Sequence, residues 1–293
     1  MISLMKGERG FVLISVIWIV GLLAVVATVF TLTVRAHIRS ASNRTETVRL
    51  EAAADGVARL VAFALSRRGD GRLVIARDGS AFACDFGSAM TASIHVQDQG
   101  GLVDLNRAPP LLFETLMRGL GAAPGDAKRL AAALADFRDP DSIAYGIEGG
   151  AEVNLVVKGP GIKNSAFQSV DEIDQAIPVG GVDRMRLAPF LTVHSAEQGF
   201  DPAFAPAPLR AMIDKRDIEM FAVPSAQRVF SVDVTVRGGR TAFRRLAIVS
   251  LTGEAGRPFA VLEWRQSEPG GMDAAETRAA KPCAALAATQ SSG

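Results

Sequence analysis

The stretch GFVLISVIWIVGLLAVVATVFTLTV, Gly10–Val34, is an uncharged apolar run set between the leader MISLMKGER and the polar sequence RAHIRSASNR. From Phe11 to Val34 it exceeds the roughly 20 residues with which a helix crosses the hydrocarbon core of a bilayer, so it reads as one membrane-spanning helix. A cleaved secretory signal carries a shorter apolar region, about 7 to 15 residues, with a small-residue cleavage site after it. Here no small-x-small site interrupts the run before Arg35. Gly21, Ala24, Thr28 and Thr31 form a stripe of small residues within it, of the kind that lets membrane helices approach closely.

Beyond Val34 the pattern stays helical. Ala53, Val57, Leu60, Val61, Ala64 and Leu65 recur at three- and four-residue spacing, while Arg49, Glu51, Asp55 and Arg59 take other faces. One helix from Phe11 to Leu65 would extend about 80 Å, half in lipid and half packed on a soluble body. After Arg67, Arg68 and Gly69 the period changes to two. Short candidate strands at Leu73–Ala76 and Ala81–Phe86 precede a clear alternation at Ala92, Ile94 and Val96. Near the other end Phe230, Val232, Val234 and Val236 alternate with polar residues, Gly238-Gly239 supplies a tight hairpin, and Thr241–Leu251 is the return strand. A third run, Pro258–Arg265, completes an antiparallel meander against the N-terminal helix.

Between these sheet segments lies a helical insertion, Asp104 to Phe221. In DLNRAPPLLFETLMRGLG, Pro109 or Pro110 begins a helix and Gly119 or Gly121 ends it. Asp126 is expected to cap the next helix, whose buried stripe is Ala127, Leu130, Ala131, Leu134 and Phe137. Ser169 and Glu172 have capping-box spacing, with Pro178 and Gly180-Gly181 closing that helix. Asp104, Ala108 and Pro109 recur in spacing as Asp201, Ala205 and Pro206, which implies two related helical hairpins. The tail from Glu268 has no sustained apolar period and reads as disordered.

The 293 residues, 48% hydrophobic and 22% charged, fit a globular body plus one membrane segment. A net charge of +1 gives no bulk attraction to nucleic acid or anionic membranes. Two cysteines form no disulfide framework: a single bridge is open to them, but Cys84, in FACDF, reads as a small, unbridged buried side chain, and Cys283 lies in the tail.

Several stretches carry a family resemblance. The junction Arg9-Gly10-Phe11 resembles the class III leader of type IV pilins and type II secretion pseudopilins, which a prepilin peptidase cuts after the glycine, leaving an N-methylated Phe11. The phrases DQGGLVDLNRAPP (98–110), LADFRDPD (134–141), QSVDEI (168–173), LAPFLTVHS (187–195), DPAFAP (201–206), RVFSVDVTV (228–236) and RPFAVLEWR (257–265) are similar, in that order, to the K-type minor pseudopilins of the type II secretion system, general secretion pathway protein K. The resemblance implies an α+β, pilin-like fold with a long N-terminal transmembrane helix, an antiparallel sheet and a large inserted helical domain. Its divisions are a leader (1–10), the N-terminal helix (11–66), a sheet body (67–103 and 222–266), the insertion (104–221) and the tail (267–293).

The implied role is structural: a subunit at the tip of the pseudopilus, supporting export of folded proteins across the outer membrane. Its expected partners are the I-, J- and H-type minor pseudopilins, prepilin peptidase and the inner-membrane assembly platform. Expected localisation is the bacterial inner membrane, single-pass, with the C-terminal domain in the periplasm. The charge rule favours the opposite orientation, because Lys6 and Arg9 precede the span while Arg35, Arg39, Arg44 and Arg49 follow it. Long domains translocate despite flanking charge, and the family orientation is adopted. Ser15, fifth from Phe11, stands where most pseudopilins carry a glutamate that pairs with a neighbour's terminal ammonium. Serine satisfies itself on its own helix's carbonyls, as suits a subunit that joins no stack below others.

The family's acidic calcium-binding segment maps onto Asp139, Asp141, Glu148 and Glu152, although the stretch after Gly150-Ala151-Glu152 is VNLVVKGPGIKN rather than aromatic-rich. Carboxylates on one loop suit the six to eight oxygen ligands of Ca²⁺. The rival reading is a membrane-anchored helix-hairpin-helix protein binding nucleic acid through DLNRAPPLLFETLMRGLG. Against it, Asp104–Glu197 holds more acidic than basic residues, whereas phosphate contacts need concentrated positive charge. No enzyme is expected: His37, His95 and His194 form no metal-ligand pair, and no Walker loop, Gly-x-Ser-x-Gly or His-Glu-x-x-His motif occurs.

The sequence predicts cleavage between Gly10 and Phe11. Intact mass of protein from a host with prepilin peptidase should give Phe11 as the methylated first residue; a mature chain beginning at Met1, or beyond Arg35, would overturn it.

Overall fold

The computed structural model describes residues 8–67, 75–86, 90–140, 163–176, 184–239, 241–254, 256–268 and 281–282. Helix α1, Glu8–Ser66, runs 59 residues without a break, about 90 Å at 1.5 Å per residue. Its two halves obey different rules. Leu13–Arg35, 23 residues, is apolar, has no buried residue and is long enough to cross a membrane. The hydroxyls of Thr28, Thr31 and Thr33 donate to the carbonyls of Ala24, Ala27 and Val29 at 2.7, 2.7 and 2.8 Å, so these polar groups are satisfied before they meet lipid. In the second half Leu50, Ala54, Val57, Ala58, Val61 and Leu65 are buried at helical spacing, and the small Ala54, Ala58 and Ala62 let a sheet approach the helix axis.

That sheet is built from both ends of the chain. Strands β1 (Asp78–Asp85) and β2 (Met90–Asp98) pair antiparallel, Phe82 opposite Ile94. Strand β3 (Val103–Asp104) then leads into helices α2 (Pro110–Gly119) and α3 (Pro124–Arg138), the single-turn helices α4 (Ile173–Ala176) and α5 (Arg184–Leu187), strand β4 (Leu191–Thr192), and helices α6 (Ala207–Met212) and α7 (Lys215–Phe221). The chain returns with β5 (Val229–Gly238), β6 (Thr241–Glu254), β7 (Arg257–Ser267) and β8 (Lys281–Pro282). The main sheet has the order β7-β6-β5-β2-β1-β8. Ala92, Ile94 and Val96 on β2 and Phe230, Val232, Val234 and Val236 on β5 are fully buried, because alternate side chains of neighbouring strands share the face that meets α1. At the β5–β6 hairpin Gly239 has φ +55°, as a two-residue turn requires.

The insertion has its own core. Phe113, Leu116, Met117, Leu134, Phe200 and Leu209 belong to one cluster of buried residues, and the α1–sheet contact forms another. Asp104 and Asp201 start equivalent units. Each accepts the N–H two residues ahead, that of Asn106 (2.8 Å) or Ala203 (2.9 Å). Each also accepts an N–H from a distant segment, that of Ala196 or Ser225, both at 2.8 Å. Both units run through a buried alanine, Ala108 or Ala205, to an extended proline, Pro109 or Pro206, that precedes the first helix of a pair. The repeated spacing in the sequence is thus a repeated aspartate loop that opens onto two helices, α2 and α3 or α6 and α7.

Five local expectations change. Asp126 does not cap α3: the helix begins at Pro124 after extended Ala123, leaving Asp126 in the first turn, paired with Arg129. Proline's missing N–H costs nothing at that position. Ser169 does cap, accepting the N–H of Asp171 at 3.2 Å, but Glu172 reaches back to the N–H of Gln168 rather than that of Ser169. Pro178, Gly180 and Gly181 lie outside the described residues. Ile75–Arg77 belongs to no strand, and 73–74 fall outside the described residues. Finally, the tail holds a strand, since Lys281 and Pro282 pair parallel with Cys84 and Asp85. Cys84 is buried as expected but, against the expectation of an unbridged side chain, is disulfide-bonded.

One charge sits inside the α1–sheet contact. Arg245 of β6, 6% exposed, donates to Asp55 at 2.6 Å and Glu51 at 2.9 Å on α1, and its guanidinium lies over Phe243 and Trp264. Removing one partner of a buried pair leaves an uncompensated charge, whereas an apolar replacement leaves none. Asp55→Ala together with Glu51→Ala, which takes both carboxylates from Arg245, should therefore cost about 3 kcal/mol, and adding Arg245→Met should recover most of that loss. Chemical denaturation of the detergent-solubilised chain measures both; a triple variant no more stable than the Asp55→Ala, Glu51→Ala pair would refute the argument.

Candidate functional site

The anchor is the first feature. α1 passes through Gly10 and Phe11 without interruption, so a cut between them would leave Phe11 as the first residue of a helix already formed. Ser15, partly buried on the same helix, lies within the candidate span.

The second feature is the junction where the sheet hands over to the insertion, at Asp98-Gln99-Gly100-Gly101. The Asp98 side chain turns the chain by accepting the Gly100 N–H at 2.9 Å, and its same oxygen accepts the Ser225 hydroxyl at 2.8 Å from the segment returning to β5. Both glycines are needed for space. A Cβ on Gly100 would lie 2.2 Å from Ser225 Oγ, and one on Gly101 2.3 Å from the Phe204 carbonyl oxygen. Asp201 N–H donates to the Gly100 carbonyl at 2.7 Å, and Thr192 Oγ1 donates to Gln99 Oε1 at 2.6 Å. Entry and exit of the insertion are therefore tied to each other and to its repeated aspartate loop. Asp98 is 1% exposed, and burial raises its pKa from the ordinary value despite the Ser225 and Gly100 hydrogen bonds. Its Oδ2 has no hydrogen-bond partner. The sequence displayed this junction as DQGG; which side chains would crowd the glycines depends on chain more than a hundred residues away.

A third feature is an open cleft of about 810 Å³ between the sheet face opposite α1 and the insertion. Its walls include His95, Asp233, Arg244, His194, Glu263 and Arg265. Arg244 donates to Asp233 at 2.9 Å, which holds the guanidinium firmly charged by raising its pKa. His194 Nε2 lies 3.1 Å from Glu263, which also pairs with Arg265 at 3.0 Å. Arg265 reaches Asp171 of the insertion at 3.2 Å. His95 Nδ1 sits 3.2 Å from the Gly79 carbonyl oxygen and its Nε2 3.5 Å from Ser93 Oγ. Ser93 is 1% exposed, so this pair orients an imidazole and presents no accessible nucleophile.

The remaining sequence candidates separate. Asp139 is the residue at which α3 ends, while Asp141, Glu148 and Glu152 lie outside the described residues. Among the described residues no three His, Cys, Asp or Glu side chains gather as a metal site. In the α2–α3 hairpin the N–H groups of Leu120, Gly121 and Ala122 donate to the carbonyls of Leu116, Arg118 and Met117 at 2.9–3.1 Å, so these three are already spent and do not point at a phosphate. Gly121, at φ +95°, supplies the left-handed turn. Gly119 is small for another reason: a Cβ there would lie 2.7 Å from the Met212 carbonyl oxygen, so the glycine serves packing against α6.

An N-terminal apolar helix that continues onto an antiparallel sheet, with helices inserted between β2 and β5, defines an α+β, pilin-like protein with a candidate membrane anchor. No family model matches the chain, and no curated protein matches its sequence. Among solved structures, a chain of the GspK-GspI-GspJ complex from the enterotoxigenic Escherichia coli type 2 secretion system matches with a TM-score of 0.55 at 13% identity, over 80% of this chain and 100% of that one. At that identity the likeness is one of fold: this chain folds as a pseudopilin does.

The junction yields a pH test. The groups that face Asp98 electrostatically are Arg77, which lowers its pKa, and Asp201, which raises it. With the folded pKa above the unfolded value near 4, the fold loses stability as pH rises between the two values and stays at the lower level above them. Asp98→Asn keeps an oxygen for Gly100 and Ser225 and carries no charge. Its melting temperature relative to wild type should rise through that window and then level off; an offset independent of pH would refute the buried-charge account.

Proposed function

We propose that the chain is a K-type minor pseudopilin, seated at the tip of a type II secretion pseudopilus and supporting export of folded proteins across the outer membrane. The observation that carries this reading is the division of α1. Its first half is bare and apolar, and its second half is committed to the protein's own sheet. A helix so divided serves an anchored building block. The matched solved chain belongs to a complex of GspK, GspI and GspJ, which supports I- and J-type pseudopilins as partners here. The H-type subunit, prepilin peptidase and the inner-membrane platform enter through the family resemblance. The insertion adds a second core beside the sheet, a bulk that would obstruct addition of a further subunit above this one. Ser15 in place of a glutamate removes the charge that would pair with a terminal ammonium in a stack.

A single-pass position in the inner membrane, with residues beyond Arg35 in the periplasm, is part of the proposal. The oxidised Cys84 fits it, since disulfides persist in oxidising compartments and are rare in the cytosol. A non-enzymatic role is part of the same proposal; in the cleft Arg244 is paired with Asp233, and His194, Glu263, Arg265 and Asp171 are paired in a chain.

Gold labelling of assembled pseudopili with antibody against the 104–221 insertion should mark one end of each filament. Label distributed along the shaft would refute placement at the tip.

A further inference from the structure

Between the candidate span and the sheet, α1 runs as a bare stalk. The apolar segment ends at Arg35 and the buried core of the helix starts at Leu50, about 22 Å farther along at 1.5 Å per residue. The stretch RAHIRSASNR, 35–44, holds three arginines and no carboxylate, a local charge that the net +1 of the whole chain conceals. The charges of α1 are sorted by side. Glu51 and Asp55 turn to Arg245 of β6. Glu46 turns to the β5–β6 hairpin, where a Cβ on Gly238 would lie 2.7 Å from its Oε1. Arg35 and Arg44 are exposed, and among the described residues neither has an ionic partner. Arg39 stands between them on the same helix. The body thus draws the helix carboxylates to itself and leaves these cations to the surroundings.

We propose that Arg35, Arg39 and Arg44 form a cationic collar that binds the phosphates of anionic lipid headgroups and sets the depth at which the anchor sits. The height fits. Headgroup layers add about 5–7 Å on each side of a hydrocarbon core about 30 Å thick, and Arg39 and Arg44 stand about 6 and 14 Å beyond Arg35. Cα–Cβ bonds in a helix tilt toward its N-terminus, here toward the lipid, so Arg44 leans back to the layer on its long stem. The angular spread fits as well. At about 100° per residue, Arg39 lies about 40° and Arg44 about 180° around the axis from Arg35, so positive charge surrounds the stalk. A ring of charge suits a medium that surrounds the helix, whereas a protein docking on one side would meet only part of it. A headgroup that meets one arginine gains about fivefold in affinity. The collar requires only that the apolar half of α1 lies in a bilayer, in either orientation. Its failure would leave tip placement untouched, and label along the shaft would leave the collar untouched.

The test reconstitutes the full chain in phosphatidylcholine vesicles carrying traces of spin-labelled phosphatidylglycerol or spin-labelled phosphatidylcholine. Electron paramagnetic resonance reads the share of each probe that is slowed against the protein. Phosphatidylglycerol should associate about fivefold more strongly than phosphatidylcholine at low salt, and the preference should collapse near about 1 M salt, where the screening length is about 3 Å. The triple variant Arg35→Gln, Arg39→Gln, Arg44→Gln should lose the preference, and lysine at the same three positions should keep it. Lys6→Gln with Arg9→Gln should leave it in place. Equal association of the two probes with the unmodified chain would overturn the proposal, as would a preference that survives in the glutamine variant or disappears with the leader charges. Absence of any lipid preference, combined with loss of a co-purifying pseudopilin from the glutamine variant, would assign the arginines to a protein partner instead. Should the glutamine variant fail to insert, the salt response of the unmodified chain and of the leader variant decides alone.

Discussion

The contact between the second half of α1 and the sheet is the constraint on which everything else depends. Leu50, Val57, Val61 and Leu65 fill the face presented by Ile94, Val96, Phe230, Val232 and Val234, and strands from both ends of the chain share that face. Neither sheet half would bury its apolar side without the helix. Arg245, meeting Asp55 and Glu51, adds a directional contact that favours one rotation and register of the helix. A hydrophobic stripe tolerates sliding, whereas an ionic pair with a 6% exposed guanidinium does not. The apolar face supplies the driving force, and the pair specifies where along the helix it acts. Since α1 is continuous, its position on the sheet also fixes the body relative to the anchor.

The insertion is grafted onto this frame at a single seam. β2 and β5 are adjacent and antiparallel, with Asp98 opposite Phe230, so the chain leaves and re-enters the sheet at neighbouring points. A separate core can then sit there without disturbing the pairing. What keeps it from swinging is the polar lattice of Asp98, Gly100, Asp201 and Ser225, together with Arg265–Asp171 across the cleft. The cost is a carboxylate held 1% exposed, whose raised pKa records the penalty. A buried polar network of this kind rigidifies when it is satisfied. Here one oxygen, Asp98 Oδ2, is left without a partner, so the seam carries a desolvation penalty.

How far the sequence was readable follows the range of the forces involved. The long helix, the alternating strands, the Gly239 hairpin and the Pro110 helix start are governed by neighbours within a turn or a strand, and each stands where its pattern put it. The repeat of Asp104 and Asp201 was visible as spacing, although its meaning, a carboxylate bridging its own loop to a distant N–H, was not. Three features escaped because their partners are remote. Arg245 is separated from Asp55 by 190 residues, Gly100 is small because of Ser225, and β8 is a strand only because β1 lies beside it. Asp126 misled for a local reason: a proline two residues earlier opens the helix before the aspartate can cap it. The expected processing pair Gly10–Phe11 and Ser15 belong to the sequence reading alone, because their chemistry would lie with other molecules.

Two signals disagree about which side of the membrane the folded part occupies, and physical magnitude separates them. Arg35, Arg44 and Arg49 are exposed on α1 just past the apolar run, where an excess of positive charge ordinarily marks the cytoplasmic side. That rule acts through short flanking segments, and long domains cross largely regardless of it. Two hydrophobic cores follow these arginines, so the following chain is in the regime where the rule is weak. The oxidised Cys84 is a signal of another kind. A disulfide must persist against the redox poise around it for the lifetime of the folded protein, and the cytosol keeps thiols reduced. The charge bias acts once, during insertion, while the redox environment acts continuously on the finished structure. The proposed periplasmic placement therefore rests on the second signal more than on the first.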